Sequence, residues 1–71
     1  MYDVARLTRQ TGHFTDFYTA DVEISGVGSI EVSYDIKNRN LILHQWYRFT
    51  EEILAPLRTY LNDYFESLLA K

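Results

Sequence analysis

The side chains that come nearest to chemistry in this chain are Ser33 and His44. A hydroxyl becomes a useful nucleophile only with a base in hydrogen-bond reach, and the base in turn needs an acid to orient it. The strand pairing derived below sets Ser33 opposite His44, with Glu31 and Asp35 flanking Ser33 on the same face. Ser, His and acid together would suggest hydrolysis. Hydrolysis also needs a cleft and fixed N–H donors for an oxyanion, and a flat exposed strand face provides neither. Neither Ser29 nor Ser33 stands in a glycine-flanked nucleophile turn of the G-x-S-x-G kind. Metal chemistry has less to build on, because there is no Cys, and His13, His44 and the acids show no recognised ligand spacing. The expectation is a non-enzymatic protein with no catalytic residue, metal or cofactor.

The elements that would position these residues are legible from hydropathy. Phe14, Tyr18, Ala20, Val22 and Ile24 share one parity, broken only by Asp16, while Phe17, Thr19, Asp21 and Glu23 share the other. Period two marks a strand with one buried face. The GVG at 26–28 offers a turn, after which Ile30, Val32, Tyr34 and Ile36 face inward and Ser29, Glu31, Ser33 and Asp35 outward. A loop centred on Val27 pairs Ile24 with Ile30, Val22 with Val32 and Ala20 with Tyr34, and sets Glu23 against Glu31. Slipping by one residue would bury the acids.

A second turn is expected in KNRN at 37–40, where Asn tolerates the left-handed region, followed by a third strand from Leu41 to Tyr47. If Ile36 pairs with Leu41 and Tyr34 with Leu43, then Leu41, Leu43 and Tyr47 join the core and Ile42, His44 and Trp46 take the outer face; a slipped register exchanges the two sets, and the turn chemistry does not choose between them. A helix follows. Thr50 stands at its cap, Glu51 and Glu52 meet the positive end of its dipole, and Phe49 and Leu54 occupy the staple positions. Pro56 either kinks this helix or starts its main part. Leu57, Leu61, Tyr64, Phe65 and Leu68 then form an apolar stripe. The first residues read as a short helix, VARLTRQTG, closed by Gly12, with Val4 and Leu7 inward; an extra edge strand is the other option.

Composition bounds the rest. At 71 residues the chain forms one domain, and a chain of that length buries only roughly 60% of its unfolded surface. With no Cys to cross-link it, aromatic packing or self-association must compensate. Ten acids against seven bases oppose a dedicated binder of phosphate backbones, so no direct nucleic-acid contact is expected. The start MYDVARLTRQ has no signal-peptide pattern, and no stretch approaches the roughly 18 apolar residues of a membrane helix. No membrane association and a cytoplasmic location are the expectations by exclusion.

MYDVARLTRQTG resembles the opening helix of a helix-turn-helix repressor domain. That motif requires a recognition helix directly after the turn, and HFTDFYTADVEI reads as strand. The order helix, three strands, helix is similar to a double-stranded RNA-binding domain, whose second helix opens on lysines that face RNA phosphates. Here that position reads TEEILAP, with acids and no lysine, so RNA binding does not follow.

The expected fold is therefore α+β, a three-stranded antiparallel meander against a C-terminal amphipathic helix, preceded by a short helix. Its outer sheet face would carry Asp21, Glu23, Glu31 and Asp35 around Phe17, Ile42, His44, Trp46 and Arg48. Apolar anchors inside an acidic rim suit protein binding, so a small regulator or inhibitor that occludes a basic partner is expected. An acidic mimic of nucleic acid, filling a basic cleft of another protein, is the alternative. One helix covers three strands poorly, which makes a homodimer, formed through the second sheet face or through the helix, the expected state.

Overall fold

The computed structural model describes residues 1–70. Four strands, β1 (Tyr2–Thr11), β2 (Asp16–Ile24), β3 (Gly28–Asp35) and β4 (Asn40–Leu43), form one antiparallel sheet in the order β1-β2-β3-β4. A 3-10 turn, Trp46–Arg48, leads into the helix α1 (Glu51–Leu69), which packs across one face. The sheet thus has four strands, not three, and no N-terminal helix precedes it. The segment read as a helix is β1, an edge strand paired with β2.

A β-bulge accounts for that error. Pairing runs from Tyr2 opposite Ile24 to Ala5 opposite Asp21, then resumes with Thr8 opposite Thr19. Arg6 and Leu7 together oppose Ala20, and Arg6 takes a left-handed φ of 55°. The extra residue switches the inward parity, so Tyr2 and Val4 face the core before the bulge and Leu7 after it. The step from Val4 to Leu7 then has helical spacing inside a strand.

Both hairpins keep the expected faces but not the expected partners. The first loop is Ser25–Val27, between Ile24 and Gly28, so Val22 pairs with Ile30, Ala20 with Val32 and Tyr18 with Tyr34. Gly26, at φ 78°, fills the position of a turn that requires positive φ, and the Val27 N–H closes it on the Ile24 carbonyl at 2.9 Å. Asp35 pairs with Asn40 across the second turn, setting Tyr34 against Leu41 and Val32 against Leu43. Its left-handed residue is Arg39 at φ 54°, neither of the asparagines. The Asp35 carboxylate organises this turn, accepting from the Lys37 and Asn38 N–H groups and the Asn38 amide. In both hairpins the register moves by two residues, which leaves every side chain on its expected face.

Two boundaries also differ. Phe14 lies outside β2 and is 94% exposed. β4 ends at Leu43, because Gln45 turns left-handed at φ 55° and starts the 3-10 turn. Tyr47 is consequently 71% exposed, not a core residue.

The core lies between sheet and helix. Val22, Val32, Tyr34, Leu54, Leu57, Leu61 and Phe65 are fully buried. Phe65 stacks on Tyr34 with centroids 4.8 Å apart and on Tyr18 at 5.7 Å. Tyr60 reaches Tyr2 of β1 at 4.8 Å. The helix runs unbroken through Pro56, so Pro56 neither starts it nor divides it. Thr50 occupies the cap position with extended backbone, but its hydroxyl makes no capping hydrogen bond. Its carbonyl accepts from Ile53 and Leu54 at 3.0 and 2.9 Å. Arg58 forks onto Glu51 at 2.8 and 3.0 Å.

Candidate functional site

The helix covers one face of the sheet, so the other displays alternate residues from all the strands. Because β1 extends the sheet edge, it does not fold over that outer face, which stands uncovered among the described residues. Two regions differ in character. At the end where β2 begins and β3 finishes, Phe14, Phe17 and Ile42 line an open groove of about 300 Å³ with Lys37 and the carboxylates of Asp16 and Asp35, which Arg9 and Asn38 engage. Ile42 is 44% exposed there. At the opposite end the face is acidic.

The acids are arranged differently from expectation. Glu23 does not face Glu31; it lies opposite Ser29 on one side and Asp3 on the other, while Asp21 lies opposite Glu31. Like charges placed directly across strands repel. Arg6 relieves part of this, 3.3 Å from the Asp21 carboxylate. Arg48, His44, Asp21 and Glu31 share a second, polar depression. Asp35 is occupied with its turn, and the Asn38 amide above all holds its carboxyl below the ordinary range. Of the four acids named from sequence, Glu23 and Glu31 alone make no side-chain hydrogen bond or ion pair among the described residues.

Ser33 and His44 do meet. Ser33 Oγ lies 2.7 Å from His44 Nε2, although the residue paired with Ser33 is Ile42. His44 instead pairs with Glu31 and donates its backbone N–H to the Glu31 carbonyl at 2.9 Å. No carboxylate accepts a side-chain hydrogen bond from His44 among the described residues, and both partners stand on the open face. The arrangement is a side-chain hydrogen bond between neighbouring strands, with no donor pair directed at a reacting oxygen. No group of three His, Cys, Asp or Glu side chains comes together as a metal site among the described residues. No described helix is long and apolar enough to cross a membrane.

Trp46 departs furthest from its expected place. It belongs to the 3-10 turn, 57% exposed, and lines a groove along β4 with Leu41, Ile42, Leu43 and Arg58. The sequence reading also missed Asp3, Arg6 and Phe14. Asp3 and Arg6 were hidden by the bulge, and Phe14 by the alternation it seemed to continue.

Fold and face define a two-layer α+β domain with one sheet surface left open. The chain matches no known protein family, curated protein or solved structure, so that surface is interpreted from its own geometry.

Proposed function

We propose that this protein is a non-enzymatic interaction module that docks a protein partner on its outer sheet face. The observation that carries this reading is the largely apolar groove of Phe14, Phe17 and Ile42 on the same sheet face as the acidic end at Asp3, Asp21, Glu23 and Glu31. A partner with an apolar protrusion beside a basic patch fits both ends, the apolar part supplying affinity and the charges orientation. Occlusion of that partner is the activity such a surface offers a small regulator. The nucleic-acid mimic draws on fewer residues, since Arg6 engages Asp21 and the 35–40 turn uses Asp35.

The test compares partners captured from host lysate by the native chain, by a Phe14→Ala/Phe17→Ala variant and by a Glu23→Lys/Glu31→Lys variant. The expected outcome is a partner lost with the aromatic pair and retained in added salt. A partner lost only on charge reversal, and released steeply by salt, favours the mimic instead. A partner that survives both variants sinks the proposed face.

A further inference from the structure

The two edges of the sheet are not alike. β1 is guarded in the ways that stop edge strands from recruiting other chains: a bulge at Arg6 and Leu7, and the charged residues Asp3, Arg6 and Arg9 along its length. β4 has neither. From Asn40 to Leu43 it reads NLIL, followed by His44 and Gln45, without acid, Lys, Arg, Pro or bulge, and only its shortness limits it.

Its free hydrogen-bonding groups follow from the pairing. The His44 N–H bonds the Glu31 carbonyl, and antiparallel bonding alternates, so Ile42 and Asn40 are the β4 residues that bond β3. The N–H and C=O groups of Leu41 and Leu43 therefore point away from the sheet.

We propose that a second copy of this chain pairs antiparallel with β4, joining two sheets into one across a two-fold axis at Ile42. The strand is complementary to itself in that register. Leu41 exchanges both backbone bonds with Leu43 of the partner subunit, and Leu43 with the partner's Leu41. Side chains match as well. On the helix side Leu41 meets the partner's Leu43 and continues the core, and on the outer side Ile42 meets the partner's Ile42. No uncompensated charge approaches the axis, because Arg58, the one charged group in the groove beside Trp46, is neutralised by Glu51. Trp46 and Ile42, both exposed beside this edge, lie where a second subunit covers them. This pairing shares Ile42 with the outer-face groove, but it is tested separately, because the variants that test that groove leave Leu41, Ile42 and Leu43 intact.

Sedimentation combined with amide hydrogen exchange tests the pairing. The native chain is expected at twice its 8.4 kDa mass in the micromolar to millimolar range. Its Leu41 and Leu43 amides, which a lone subunit leaves unbonded, should exchange more slowly as concentration rises. Ile42→Lys faces two ammonium groups across the axis, and dimerisation should weaken by about a hundredfold with the far-UV spectrum unchanged. A native chain that remains monomeric overturns the proposal. So does a dimer in which the Leu41 and Leu43 amides exchange as fast as those of an exposed turn. The exchange measurement uses the native chain, so it decides the matter even if Ile42→Lys does not fold.

Discussion

Asp16 is the residue that breaks the alternation of β2, and Arg9 explains why it can. The guanidinium donates from Nε and Nη2 to the two carboxylate oxygens at 3.0 and 2.8 Å, and lies 5.8 Å from the Tyr18 ring centroid. A charge on the inward-facing parity is thus paired and partly spread over an aromatic face. The Arg9 hydrogen bond holds the Asp16 carboxyl below its ordinary value of 3.8; Asn38 does the same for Asp35, and Arg58 holds Glu51 below 4.5. Folded values lower than unfolded ones stabilise the protein above the ordinary carboxylate range, and that stabilisation is lost as pH falls through it. The thermal midpoint should accordingly be flat from neutral pH to about pH 5 and fall below that. In an Asp16→Asn/Asp35→Asn/Glu51→Gln variant the neutral-pH midpoint should be lower and the acid-side fall shallower. An equally steep acid-side fall in that variant would assign the acid sensitivity to other carboxylates.

Among the elements, β1 depends most on a single backbone conformation. Arg6 adopts φ 55°, which an L side chain occupies at a cost of about 1–2 kcal/mol and glycine occupies freely. Arg6→Gly should therefore stabilise the fold by up to about 1 kcal/mol in urea unfolding, less whatever the exposed contact with Asp21 contributes. Arg6→Val should destabilise it by about 1–2 kcal/mol, since a β-branched residue tolerates that region poorly. If both variants match the native chain, the bulge relaxes without cost and does not fix the strand. The helix shows the opposite economy. It accepts Pro56, whose missing N–H leaves the Glu52 carbonyl without its usual partner, because Leu54, Leu57 and Leu61 bury the face on which its stability depends.

At the scale of the molecule, stability converges on Phe65. Its ring lies between Tyr34 and Tyr18, with Tyr64 edge-on at 5.4 Å, so one side chain ties the helix to both central strands. Truncating a buried Phe typically costs about 3–5 kcal/mol, close to the whole stability of so small a core. Phe65→Ala should lose its near-UV aromatic signal at 25 °C, whereas Phe14→Ala, at a 94% exposed position, should keep it. Retention of a cooperative transition in Phe65→Ala would mean that the core repacks around the gap.

What the amino-acid sequence determined by itself was which way each side chain faces in the two central strands and the helix. Facing is set locally, by the match of polarity to a period of two or 3.6 residues, and it survives any register shift of two. Ala20, Val22, Ile24, Ile30, Val32 and Tyr34 are therefore inward as expected, although their partners are not the expected ones, whereas the facing of β4, apolar on both sides, was fixed only by its pairing with β3. Tertiary structure decided the rest. The partners depend on which residues of each turn take positive φ, and in the first turn Gly26 and Gly28 both do, at 78° and 144°. The Arg6–Leu7 bulge turned a strand's spacing into a helix's, so β1 became visible only through its pairing with β2. Trp46 left the outer face because Gln45 reverses the chain, and no hydropathy pattern records a single left-handed residue. An uncovered face and an unguarded edge belong to the assembled sheet, because covering is a relation between elements distant in sequence.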